Sequence, residues 1–145
     1  MKKPLILVAS LMGIAFSAAH AQAAEPLELR KIMNDLGKSM EIVTGGISRE
    51  DWSLVEKTSH LIAEHPQPPL PEKMRIITFM GTNMSKFKGF DEQTHEAASE
   101  MAAAAQEKHG QKVISLFQKL QLSCLGCHQA FRPEFVANFY GNAAK

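Results

Sequence analysis

Cys124-Leu125-Gly126-Cys127-His128 sets two thiols three residues apart, with an imidazole directly behind the second. On a helix, positions i and i+3 share one face. Both thiols can then reach the two vinyl groups on one edge of a porphyrin, while the next side chain directs a ring nitrogen at the iron. C-x-x-C-H is the attachment pattern for c-type haem. The predicted chemistry is one haem c per chain, held covalently by Cys124 and Cys127, with His128 as proximal iron ligand. Other uses of the pair fit less well. A disulfide across so short a loop would remove little chain entropy. A thioredoxin-like redox pair needs a βαβ setting, and no strand pattern precedes Cys124. A structural zinc site needs four ligands in paired clusters, and His60, His65, His95 and His109 show no such pairing in sequence.

The elements that must carry this motif are helical. Strand-like alternation is absent, and apolar spacing of three and four recurs in four segments. Pro26 suits the opening turn of a first helix over 27–44, which Gly45-Gly46 should end. Leu29, Met33, Leu36, Met40 and Val43 trace one seam along it, the pattern of a buried stripe. Ser48 and Asp51 give a capping-box-like start to a second helix reaching about His65. The prolines at 66, 68, 69 and 71 stop it. Residues 72–87 resume a helical pattern as a shorter segment attached to the second helix, with Gly81 a weak point. Asp91 is a candidate N-cap for a third helix that ends near His109, with Gly110 at C′. Its inner face is alanine-rich, through Ala97, Ala98, Ala102, Ala104 and Ala105, which suits close approach by a neighbouring helix or a flat cofactor and equally suits plain helix propensity. The fourth helix runs from Gln111 into the 130s, carries the motif, and should kink or restart at Pro133. The fold class is therefore all-α, an antiparallel four-helix bundle with haem on its C-terminal helix.

The first residues read as an address. Lys2-Lys3, an apolar run to about Ala18 and the small-residue sites at Ala21 and Ala23 have the layout of a cleavable secretory signal. The run of about 15 residues is shorter than the roughly 20 that span a bilayer. Residues 1–23 are expected to be removed, leaving one domain over 24–145, delivered to the periplasm with no membrane span. Without Lys2 and Lys3 the formal charge moves from +1 to −1. That gives no support for nucleic-acid binding, which needs a concentrated basic face.

The motif continues as Cys127-His128-Gln129-Ala130-Phe131-Arg132, which resembles the C-H-x-x-[FY]-R signature of the class II cytochromes c. That superfamily comprises cytochrome c′ and its low-spin, methionine-ligated relatives. The resemblance implies a haem-binding bundle, and a possible homodimer. Together with helical spacing it implies that Arg132 contacts a propionate or packs at the haem edge; the plainer alternative is an exposed arginine in a late helical turn. It also implies that the distal position comes from the first helix, four residues before a glycine. In Lys31-Ile32-Met33-Asn34-Asp35-Leu36-Gly37 that position is Met33, as in the methionine-ligated members. Leu29 stands where cytochrome c′ often has arginine, with Arg30 next. By spacing alone Met33 is also ordinary core filler, and Met40, Met74, Met80, Met84 and Met101 offer the same donor.

Two functions follow from the two distal possibilities. With Met33 and His128 both on the iron, the chain is a periplasmic one-electron carrier serving redox partner proteins, since His/Met ligation raises the potential. With His128 alone, it is a cytochrome c′-type protein that binds small gases such as nitric oxide. An enzyme needs acid/base groups above the iron; the first-helix seam offers only Met, Leu and Ile, so no catalytic residue is expected. Phe135, Val136, Phe139 and Tyr140 suggest a haem-edge cap, a bundle-end cover or a dimer contact.

Overall fold

The computed structural model describes residues 27–141; the expected signal segment and its cleavage sites lie outside these. The described residues form five α-helices: α1 (Glu28–Ser48), α2 (Trp52–Ala63), α3 (Leu70–Met80), α4 (Met84–Gln106) and α5 (Gly110–Tyr140). A 3-10 turn, Gly81–Asn83, joins α3 to α4. No strand occurs among the described residues. The architecture is an all-α four-helix bundle of α1, α2, α4 and α5, with α3 as a short extra helix that leads into and packs on α4, not on the second helix as the sequence suggested. No helix among the described residues is long and apolar enough to cross a membrane.

Packing is uneven around the bundle. α4 lies between α2 and α5 and packs extensively on both, α1 packs on α2, and α1 meets α5 only sparsely. The alanine face of α4 explains the close packing. Ala97, Ala98, Ala102, Ala104 and Ala105 are essentially inaccessible. Four of them, with Met101, join Val55, Ile62, Val113 and Leu120 in the main core. The small side chains therefore serve neighbouring helices. A second core closes one end, where Leu27, Ile76, Met80 and Phe135 gather with Phe79, Phe131, Phe139 and Tyr140 around them. Of the three roles open to the segment after Pro133, covering a bundle end is the one these contacts fill.

Several boundaries differ from the sequence expectations. α1 continues through Gly45-Gly46 to Ser48. A Cβ on Gly46 would lie 2.8 Å from Val55 Cγ2, so this glycine admits α2 instead of ending α1. Asp51, and not Ser48, caps α2, accepting a hydrogen bond from the Leu54 amide at 3.1 Å. Asp91 is no N-cap, because α4 already starts at Met84. Gly110 is no C′ residue; it opens α5, where an added Cβ would lie 2.8 Å from the Trp52 indole. Lys108 takes the left-handed conformation (φ 57°) and Glu50 does the same after α1 (φ 56°). Each sits in a Schellman pair: His109 N donates to Ala104 O and Lys108 N to Ala105 O, while Asp51 N donates to Gly46 O and Glu50 N to Ile47 O.

α5 does not break at Pro133 and remains one helix to Tyr140. Aromatic contacts grip it on both sides of the proline. Phe131 packs edge-on to Phe87 and Phe90, and Phe135 and Phe139 pack on Phe79. That tertiary anchoring outweighs the lost backbone donor. The start of α1 is held differently. It has no cap of its own, and the Glu72 carboxylate of α3 accepts from the amides of Glu28 (2.7 Å) and Leu29 (2.8 Å).

Candidate functional site

The sparse contact between α1 and α5 leaves a groove of about 480 Å³, within the range of small-molecule and cofactor sites of roughly 300–1,000 Å³. The seam of α1 meets the motif of α5 across it. Leu29, Met33, Leu36 and Met40 line one wall, and Cys124, Cys127 and His128 line another. α4 contributes Phe87, Phe90 and Thr94, and the segment between α2 and α3 contributes His65, Gln67 and Pro68. The expected buried seam is thus a groove face, for among its five members only Val43 is fully buried. A helix that shows a half-covered apolar stripe to a gap is shaped for an apolar occupant.

Each candidate residue has a definite place. Met33 is 39% exposed and belongs to neither core, so it is not core filler. Of the other methionines, Met101 and Met80 are buried in the two cores, and Met74 is exposed outside the groove. Met40 and Met84 line the groove, and each also packs against a core. Gly37 lines the groove near Met33, and a Cβ there would meet nothing within 4 Å. Arg132 is exposed and does not line the groove. It acts at a distance: burial, and then the Arg132 charge, hold the His128 imidazole below its ordinary pKa. His128 is accordingly neutral at pH 7, the form in which a ring nitrogen can bind iron.

The thiols are set by the packing of α4 on α5. Gly126, between them, is where the Phe90 ring approaches; an added Cβ would lie 2.7 Å from Phe90 Cε1. Beside Cys124, the buried Thr94 and Ser123 hydroxyls lie 2.9 Å apart, each placed to donate its single proton either to the other or to a carbonyl of its own helix. Burial pushes the Cys124 thiol up, partly offset by those hydroxyls. Burial, and then the charges of Cys124 and Asp91, push Cys127 to about 11. Both thiols stay protonated at neutral pH. A disulfide-exchange motif lowers its attacking thiol instead, so the electrostatics argue against a redox dithiol.

The donor set fits a covalently attached haem. Two uncharged thiols, a neutral imidazole and a thioether face one mostly apolar groove, with Phe87 and Phe90 on its wall. No polar side-chain atom in the described residues is left buried without a partner. Sequence reasoning missed one cluster on this wall. His65 and His95 stack with centroids 4.7 Å apart, and Asp91 lies within 3.3 Å of His65 and 3.5 Å of His95. The i, i+4 spacing of Asp91 and His95 was a visible signal. The return of His65 through a proline-rich loop was not.

Residues 74–132 match the family model described as Cytochrome C'. No curated protein matches the chain.

Proposed function

We propose, from the membership of residues 74–132 in the cytochrome c′ superfamily, that the protein is a periplasmic one-electron carrier with a single haem c. Cys124 and Cys127 would hold the haem by thioether links, His128 would ligate its iron, and Met33 would be the second axial ligand. The observation that carries this reading is the shared groove: the exposed thioether of Met33 and the attachment motif line the same apolar space from α1 and α5. The bound group supplies a one-electron iron couple, and His/Met ligation raises its potential. The chain supplies the rest. His128 offers a neutral nitrogen, the α1 seam excludes water, and the α4–α5 core fixes the attachment helix. Redox partner proteins would dock where the groove opens to solvent. The chain is proposed to have no catalytic role and to reach the periplasm through its N-terminal signal, a compartment typical of this family.

The family match itself favours a second reading, a five-coordinate protein that binds small gases on the Met33 side. Spectra of the purified protein and of Met33→Ala separate the two. The carrier reading expects a six-coordinate low-spin ferric spectrum that turns high-spin on substitution. A high-spin native spectrum, unchanged by the substitution, overturns it in favour of the gas-binding reading.

A further inference from the structure

His65 lies just past the end of α2, and Asp91 and His95 stand one turn apart on α4. The three side chains converge, with one donor atom from each lying within 4.8 Å of the other two. The His65 side chain is only 6% exposed.

The hydrogen bonds fix how the two rings are used. His65 Nδ1 bonds the Pro66 carbonyl at 3.1 Å, and His95 Nδ1 bonds the Ala63 carbonyl. A carbonyl oxygen only accepts, so both Nδ1 atoms carry the proton. In neutral rings, both Nε2 atoms are then bare lone pairs. Both face Asp91, His65 Nε2 at 3.3 Å from Oδ1 and His95 Nε2 at 3.5 Å from Oδ2. That sets acceptor against acceptor twice. A proton on one ring satisfies one contact and leaves the other. Protons on both place two cations in stacked rings 4.7 Å apart, against one carboxylate. A divalent cation answers all three groups at once.

The surroundings match a metal centre in two further respects. Metal-binding histidines commonly donate their second ring N–H to a backbone carbonyl, which fixes tautomer and orientation, and both histidines here do so. Zinc with bonds of about 2.0–2.2 Å sets neighbouring ligand atoms about 3.4 Å apart; each ring nitrogen stands near that distance from one carboxylate oxygen, 3.3 Å to Oδ1 and 3.5 Å to Oδ2, so the carboxylate faces the ion's position with both oxygens. Imidazole with carboxylate suits zinc and its first-row neighbours over calcium or magnesium.

We propose that His65, Asp91 and His95 form a second metal site, binding one divalent transition-metal ion of the zinc type through two Nε2 atoms and one carboxylate. Solvent completes the coordination, since the Asp91 and His95 side chains are 38% and 33% exposed. Two of its residues, His65 and Asp91, line the groove of the thiol pair, but the site uses none of the haem-binding residues, so its failure leaves the carrier reading untouched.

The test is equilibrium dialysis of the purified, chelator-stripped holoprotein against Zn(II), with bound zinc counted by mass spectrometry. The expected result is one zinc per chain, with affinity reduced at least about tenfold by Asp91→Asn and by His95→Gln. His60→Gln and His109→Gln, both exposed and outside the cluster, should bind as the parent does. His65→Gln is read alongside, so that any variant that fails to fold by circular dichroism is replaced by another of the three. Absence of bound zinc in the parent overturns the proposal. So does zinc retained unchanged in the folded Asp91 and His95 variants.

Discussion

At the scale of single residues, glycine has a different job here from the one its usual sequence context suggests. Gly46, Gly110 and Gly126 each stand where a side chain from a neighbouring helix comes within 3 Å of the missing Cβ. Substituting them forces a packed neighbour aside, whereas Gly89 has nothing within 4 Å. The two cases should move stability in opposite directions. Gly89→Ala should gain about 0.5–1 kcal/mol from backbone entropy. Gly46→Ala gains the same but drives its Cβ into the buried Val55, an overpacking cost of about 1–3 kcal/mol, and should lose about 1 kcal/mol net. Guanidinium unfolding of both variants checks the pair, and a stabilised Gly46→Ala would refute the packing account. The C-x-x-C-H motif stands out in sequence because its five residues are contiguous. Met33 was legible only through resemblance, since periodicity cannot tell a thioether facing a groove from one filling a core.

Helices as elements were easy to find, and their ends were not. The apolar period located all four bundle helices, but the end signals failed wherever tertiary contact competed with local preference. Gly45-Gly46 and Gly110 read as terminators, yet the residues that turn the chain are Glu50 and Lys108, both at positive φ. Pro133 read as a break, yet aromatic anchors carry α5 across it. The Schellman geometry leaves a measurable trace. A non-glycine residue held left-handed costs on the order of 1 kcal/mol, so Lys108→Gly should raise stability by up to about 1 kcal/mol. A lower Tm for that variant would show that the Lys108 side chain contributes more than its backbone strain costs. The start of α1 was legible from Pro26 to within a residue, but its cap was not, because Glu72 is supplied from 44 residues away.

On the scale of the whole molecule, the fold class was legible because four amphipathic segments have few other ways to bury their stripes. The groove was not, because it depends on one pair of helices staying apart. Periodicity predicts that a stripe will be covered, not what covers it. The His65–Asp91–His95 cluster was hidden for a related reason, as it forms only when a proline-rich loop folds back on α4. The groove also has a kinetic side. Three methionines, Met33, Met40 and Met84, share it with His128 in the folded chain, but before the helices pack every methionine competes. In the proposed carrier, joining Met33 to an iron held at His128 closes a loop of 95 residues, whereas Met101 would close one of 27. Loop-closure entropy makes the longer search costlier by about 1.1 kcal/mol, so Met101 should capture the iron about six times as readily at first. Refolding followed by stopped-flow absorption should then pass through a misligated low-spin species before Met33 replaces it. Met101→Leu should diminish that species and speed recovery of the native spectrum; an unaltered trace would show that Met101 never competes. Packing of the helices would thus withdraw the nearest donor into the main core and leave a distant one beside the groove.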